Sequence, residues 1–365
     1  MLGNHRVSLA LALVTTVAAM AVVGCGSEGD NVRPDGTGGA GGTGGEGGSS
    51  SSMSSSSSGG AGGAGGGAVC PTHEGPVFAV KELFFGEGNS GEWKKFGFNL
   101  DEKESTGSST DVCKPNAGGS PQTAYPDGDQ GIDNSFGKNL LPTILLLYPT
   151  WVTDVNTGIQ NGNFTALVKS ECMPATGDAP VLLSKLFGGT TLGGAPKFDG
   201  TDKWPVEPGL LSDPMDPLSS TIHFEKSSVT GSTFDSGRGV TVVLSVPVRT
   251  AQKSTSIKLT LYSAHMTMKL ADDRKSATEG MIGGVLNTEE FVAEVKKVGD
   301  LLGLCGNPLF DNLVTQVRQA SDIMSDGTQD PEKTCDGISM GLGFEMYEAQ
   351  LGDVGPANEV GSACP

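Results

Sequence analysis

A long low-complexity tract limits where this chain can fold. Residues 26–69 are almost entirely Gly, Ser, Ala and Thr, a composition with too few apolar side chains to bury a core. A Gly/Ser-rich chain of this length behaves as a flexible coil with a root-mean-square span of about 35–40 Å. The sequence therefore predicts a disordered tether over residues 25–69 and a globular domain over residues 70–365.

The segment before this tether is typical of an export signal. His5 and Arg6 precede an apolar run at residues 7–23, and small residues follow it, which is the order of regions in a cleavable signal peptide. We expect residues 1–24 to be removed. The alternative is an uncleaved transmembrane helix, which needs about 20 apolar residues, and this run is marginally short.

Cys25 is the candidate lipidation site. The sequence Val22-Val23-Gly24-Cys25 resembles the lipobox of bacterial lipoproteins, and the resemblance implies acylation of Cys25 and cleavage before it. Each buried methylene contributes about 0.8 kcal/mol, so several acyl chains anchor a protein firmly. Gly26 follows the cysteine where an Asp would mark inner-membrane retention in enteric-type sorting. We therefore expect a lipid-anchored protein of the outer membrane that faces the periplasm or the cell exterior.

The charge of the chain argues against one class of partner. The formal net charge is −18, whereas nucleic acid is bound by neutralising its phosphates with Lys and Arg. Nucleic acid is therefore not an expected partner. The membrane is the expected one, through the lipid anchor.

The other six cysteines indicate an oxidising compartment. Their even number predicts three disulfides. The cysteines are widely separated and form no C-x-x-C pair, which argues against a zinc site or a redox dithiol. Among the fifteen possible pairings, Cys305 with Cys335 is favoured because the two bracket one helical unit. The other four cysteines can pair in three ways, of which Cys113 with Cys172 and Cys70 with Cys364 is one, and the sequence does not choose among them. The six are Cys70, Cys113, Cys172, Cys305, Cys335 and Cys364.

Period-two apolar patterns predict a β-rich domain. Within residues 257–270 the apolar parity changes near Tyr262 or Ser263, which predicts a β-bulge. The predicted strands are residues 77–85, 94–100, 164–169, 181–187, 221–225, 240–248, 257–270 and 339–347.

Helical periodicity appears in two regions. Residues 140–159 predict a helix that Pro149 kinks or splits. A second helix begins at Asn287 or Thr288 and stops at Gly303, and a third has Asn307 as N-cap with Pro308 at its first position. The predicted class is α+β, with an antiparallel β-sheet or β-sandwich covered by helices.

An acidic stretch at residues 127–134 is the strongest candidate for chemistry. Asp127, Asp129 and Asp133 alternate with glycines, as in the first half of an EF-hand-type calcium loop. Gly131 stands where a third ligand is often found, and Lys138 occupies the twelfth position, so an acidic surface turn is the alternative. Residues 326–336 match the pattern less well.

Two other features are weak candidates for catalysis. Residues 337–341 fit the G-x-S-x-G nucleophile motif, but Ser339 lacks the preceding buried strand, the following helix and any later histidine that a hydrolase needs. His73, His223 and His265 are expected to face solvent.

Three phrases, at residues 127–139, 159–164 and 335–344, resemble a group of lipoproteins from myxobacteria and related delta-proteobacteria. The resemblance implies a location and a shared fold and carries no activity. We therefore expect a non-enzymatic binding or structural lipoprotein at the cell surface or in the periplasm, with a saccharide or a surface protein as ligand. The alternative is a secreted hydrolase of polysaccharides, which would need a deep polar cleft with two carboxylates of unequal pKa.

Overall fold

The computed structural model describes residues 74–88, 91–116, 125–249, 254–358 and 360–365. The predicted signal peptide, the tether, Cys25, Cys70 and His73 lie outside these ranges. Helices and strands occur in the order β1 (Val77–Phe84), α1 (Leu141–Leu147), α2 (Trp151–Gln160), β2 (Thr165–Glu171), β3 (Ala179–Gly189), β4 (Lys203–Val206), β5 (Ile222–Thr230), β6 (Thr233–Asp235), β7 (Val240–Arg249), β8 (Ser254–Leu270), β9 (Ser276–Asn287), α3 (Thr288–Leu301), α4 (Pro308–Gln319) and β10 (Gly337–Val354).

All ten strands belong to one sheet. Eight of them pair in the cyclic order β1–β2–β3–β5–β6–β8–β9–β10–β1, and every pairing in this ring is antiparallel. β7 pairs with the first half of β8, and β4 pairs in parallel with the end of β10. The α+β class is thus confirmed, with a single sheet closed on itself in place of a two-sheet sandwich.

The closed ring separates two apolar cores. The larger core fills the interior, where Phe78 and Val80 of β1 meet Leu342, Phe344 and Met346 of β10. A smaller core lies on the other side of β1–β3, around the fully buried indole of Trp204 in β4. Both cores follow from the period-two pattern, since alternate residues of a strand point to opposite faces.

Glycines in β10 let a loop lie directly on the sheet. A Cβ at Gly341 would stand 2.3 Å from the carbonyl oxygen of Phe96, and one at Gly343 would stand 2.3 Å from the Phe96 ring. Packing also explains the other glycine of the G-x-S-x-G match, since a Cβ at Gly337 would stand 2.5 Å from Val285. The segment that packs on Gly341 and Gly343 contains Phe96, and the strand predicted at residues 94–100 is wrong. The chain there forms a 3-10 turn at Glu92–Lys95 and an isolated bridge between Phe98 and Asp133.

Asn134 fastens the next loop to the same face. Its amide nitrogen donates to the carbonyl oxygens of Trp93, Phe96 and Gly341 over 3.0–3.3 Å. Its side-chain oxygen accepts from the backbone N–H groups of Gly137 and Gly341. One buried amide thus satisfies five backbone groups that would otherwise be left without partners.

Local sequence signals predict the helices well. The chain breaks between α1 and α2 at Pro149, Asn287 caps α3 by accepting from Glu289 and Glu290, and Asn307 caps α4 in front of Pro308. The predicted bulge is also confirmed, because Ser263 has φ +51° and the β8–β9 register shifts there.

The predicted pairing of Cys305 with Cys335 is wrong. Cys113 is bonded to Cys335, and Cys305 is bonded to Cys364. Backbone contacts explain both bonds: Lys114 exchanges hydrogen bonds with Lys333 and Cys335, and the N–H of Cys364 donates to Lys296 of α3. Cys172 is also disulfide-bonded, but not to Cys113, and Cys364 does not pair with Cys70.

Candidate functional site

The interior of the ring contains an apolar cavity of about 80 Å³. Side chains from β1, β2, β3, β7, β8, β9 and β10 surround it, together with one face of α2. Aromatic and long aliphatic groups form most of the wall, among them Phe85, Trp151, Phe164, Leu259, Met266 and Phe344. An eight-stranded closed sheet has an interior that side chains just fill or that holds one small ligand. Here most of the space is filled and a small part is left open.

Helix α2 covers one side of the cavity because of its apolar stripe. Residues spaced four apart share one face of a helix. The face that lines the cavity carries Trp151, Val155 and Ile159. The Trp151 ring packs on Phe85 with centroids 4.8 Å apart. Asn156 fixes the helix by accepting from the N–H of Leu83 at 2.8 Å and donating to its carbonyl oxygen at 2.9 Å.

Part of the cavity lining is exposed, and one exposed lining residue follows the end of helix α1 in the chain. The partly exposed lining residues are Leu83, Trp151 and Leu244. The last turn of α1, shortly before Trp151, exposes Leu146 by 81% and Leu147 by 56%. Two exposed leucines next to a partly exposed tryptophan form a surface that apolar molecules can approach.

The predicted calcium residues are only partly brought together. A hydrogen bond joins the carboxyl groups of Asp127 and Asp133, and Asp133, which is buried, also accepts from the N–H of Leu100 at 2.7 Å. Asp129 is exposed at the start of a 3-10 turn. Within the described part of the chain, no group of three or more His, Cys, Asp or Glu side chains is placed to hold a metal ion. The geometry gives the calcium prediction no support.

Two further carboxylates join Asp127 and Asp133. Burial, together with the nearby charges of Asp101, Asp322 and Asp127, raises the pKa of Asp133 to about 9. Burial also raises the pKa of Asp127 to about 6 and that of Asp322 to about 7. Asp101 and Asp322 were missed because they lie far away in the sequence.

This cluster borders a small polar cavity of about 10 Å³ lined by Asp127, Asp322, Ser105, Tyr125 and Gln329. That volume holds about one water molecule. It is far smaller than a sugar ring needs, so it is not the deep polar cleft that a polysaccharide hydrolase requires.

Ser339 is a structural residue. It is fully buried, and its hydroxyl donates to Asp322 at 2.5 Å while accepting from the N–H of Ser135 at 2.8 Å. A serine held in this way is not a free nucleophile.

The histidine prediction is correct for His223 and wrong for His265. His223 is exposed. His265 is 8% exposed, stacks on Phe98 with centroids 4.2 Å apart and lies 2.9 Å from Asp235. The bulge at Ser263 changes the strand parity, and the loop carrying Phe98 then covers this side chain.

Comparisons with known proteins give no relative. No family model matches the chain, and neither curated proteins nor solved structures give a match. Among the described residues, no helix is long and apolar enough to cross a membrane. The physical features of the site therefore carry the functional argument.

The carboxylate cluster predicts how stability depends on pH. A carboxyl whose pKa is higher in the folded state stabilises the fold fully below its unfolded value of about 4, and this contribution is lost as pH rises through the folded values. With folded values of about 6, 7 and 9, we expect the free energy of unfolding contributed by this cluster to fall from about pH 4 to 9. One pKa unit corresponds to about 1.4 kcal/mol, so the slope is measurable by urea unfolding.

Asp133→Asn is the variant that checks this prediction. The amide oxygen can still accept from Leu100, but it cannot ionise, so the decline with pH should become shallower and the variant should be more stable than wild type at high pH. Asp129→Asn, an exposed change, is the matched control and should leave the profile unchanged. An Asp133→Asn profile parallel to that of wild type would contradict the account.

Proposed function

We propose that this protein is an exported, lipid-anchored binding protein that takes a small apolar molecule into the cavity of its closed sheet. The observation that carries the proposal is the cavity itself, whose wall is apolar on every side apart from two hydroxyl groups. Burial of apolar surface is the main favourable term when such a ligand binds. The proposal refines the expected binding role and replaces a saccharide or surface-protein ligand with an apolar one.

The size of the cavity limits the ligand. Pockets for drug-sized molecules measure roughly 300–1,000 Å³, and an engineered cavity of about 150 Å³ holds benzene. A volume of about 80 Å³ suits a chain of about four carbons or one end of a longer molecule. A longer ligand would extend past Trp151 towards Leu146 and Leu147 at the exposed end of α1.

The proposed location rests on the sequence. A cleaved export signal, a lipidated Cys25 and the predicted tether would together hold the domain within a few tens of ångströms of a membrane, where apolar molecules are concentrated. The resemblance to delta-proteobacterial lipoproteins supports the same location. The alternative of a polysaccharide hydrolase has no specific observation in its favour among the described residues.

Binding is tested with n-butanol, a molecule of suitable size. We expect its addition to shift the methyl NMR signals of Met266 and Met346, which line the cavity, and not that of Met215, which is 85% exposed. Ala166 also lines the cavity, so Ala166→Phe should fill it and weaken binding at least tenfold, because space is lost to the new ring.

The matched control is Val181→Phe, which adds the same ring at a position that is 70% exposed. It should bind n-butanol as wild type does. Thermal unfolding of both variants establishes that they are folded. Unchanged Met266 and Met346 signals at saturating n-butanol would rule out the proposed binding.

The membrane anchor is tested separately. Cys25→Ser removes the acyl acceptor and leaves the folded domain intact, so the variant should appear in the soluble fraction of cells that retain wild type in the membrane fraction. Retention of the variant on membranes after a high-salt wash would show that the lipobox interpretation is wrong.

A further inference from the structure

One end of the cavity wall is polar. Among the described lining residues, only Thr165 and Ser245 carry hydroxyl groups. A hydroxyl has one proton to donate and two lone pairs to accept with. The ligand that this end favours depends on whether those protons are free.

Neither proton is free. The Thr165 hydroxyl donates to the carbonyl oxygen of Val80 at 2.7 Å. The Ser245 hydroxyl is 2.6 Å from that of Ser256 and accepts from the amide of Asn358 at 3.1 Å. When Ser256 is the donor in that pair, the Ser245 hydroxyl can donate its hydrogen bond to the Glu207 carboxyl group, to which it also bonds. A ligand head that can only accept hydrogen bonds therefore gains none from these hydroxyls.

The carboxyl group of Glu207 lies directly behind this wall. It is 4% exposed, and its N–H donates to the carbonyl oxygen of Gly188, a lining residue. Its carboxylate occupies the space over Gly188, because a Cβ there would stand 2.8 Å from the Glu207 oxygen Oε2. Because Gly188 has no side chain, the Glu207 carboxyl group can lie close to the cavity at this point of the wall.

This carboxylate has no ion-pair partner among the described residues, where Lys258 acts on it only at longer range. Burial raises the pKa of Glu207, and hydrogen bonding to Asn358 and Ser245 lowers it in part. A buried carboxylate without a cation is costly to the fold. A cationic group brought into the cavity would offset that cost.

We propose that the cavity selects apolar amines over apolar carboxylic acids of the same length. This inference rests on the proposed binding function and adds the chemical class of the ligand. The butyl chain of a primary amine would bury its carbons against the apolar wall and direct its ammonium group towards Ser245 and Glu207. A carboxylate head would find no donor there and would be repelled by Glu207.

Three probes with the same chain test the selection: n-butylamine, n-butanol and butyrate, titrated at roughly pH 8, where the amine is protonated. The Met266 methyl signal reports binding. Charge-assisted hydrogen bonds are about twice as strong as neutral ones, so we expect the amine to bind about tenfold more tightly than the alcohol. Butyrate should bind more weakly than the alcohol.

Variants assign the selection to Glu207. Glu207→Gln should remove most of the preference for amine over alcohol and should leave alcohol binding within about twofold of wild type. Ser245→Ala, which removes the hydroxyl and keeps the charge, should retain part of the preference. Glu225→Gln removes an exposed carboxylate from β5 and should change nothing.

The outcomes separate the two proposals. If n-butanol binds but the three probes bind equally, or butyrate binds best, the selection for amines is overturned and the binding function stands. If none of the three binds, both proposals are overturned. Should Glu207→Gln fail to fold, a loss of selectivity in Gly188→Ala, whose methyl group would displace the carboxylate, supports the inference, and retained selectivity there overturns it.

Discussion

The pairing of the first strand with the last is the contact on which this structure depends. β1 and β10 pair over the length of β1, from Val77 opposite Ala349 to Phe84 opposite Gly343, with one bulge between Val80 and Glu82. Without this pairing the sheet would have two open edges, and its apolar face would have no opposite wall. With it, the interior is enclosed and the cavity has strands around it. Closure requires contacts between the two ends of the domain, which is entropically the most expensive kind of contact to form.

Polar side chains hold the loops that complete the ring. Asn134 ties the segment at residues 127–139 to Gly341 of β10, and Ser135 ties it to Ser339. Asp127 and Asp133 of this loop are packed into the same junction, and their burial there is the main cause of their raised pKa values. The segment that suggests calcium binding in the sequence thus has a structural role in this fold.

What could be predicted from the sequence is local. Helix caps at Asn287 and Asn307, the break at Pro149 and the bulge at Ser263 each depend on a few adjacent residues. β9 was missed because Gly280, Gly283 and Gly284 lower its strand propensity. The structure requires these glycines, since a Cβ at Gly280 would stand 2.4 Å from the ring of Phe344.

What could not be predicted depends on long-range geometry. Cys113 and Cys335 are 222 residues apart in the sequence. Their disulfide follows from a β-bridge between the neighbouring residues Lys114 and Thr334. The carboxylate cluster needs Asp101 and Asp322 to meet Asp133, and the cavity needs seven strands. A period-two pattern indicates which side chains are buried, but it contains no information about whether the sheet closes or how completely the interior is filled.

The central claim is that the closed sheet encloses apolar space that a small molecule can occupy. Its most direct test is a crystal structure of the protein under xenon pressure, because xenon enters dry apolar cavities and scatters strongly. The account predicts an ordered xenon atom inside the ring, in contact with Met266 and Phe344, with β1 still paired to β10. A ring interior without xenon, or a sheet in which β1 and β10 are apart, would contradict it.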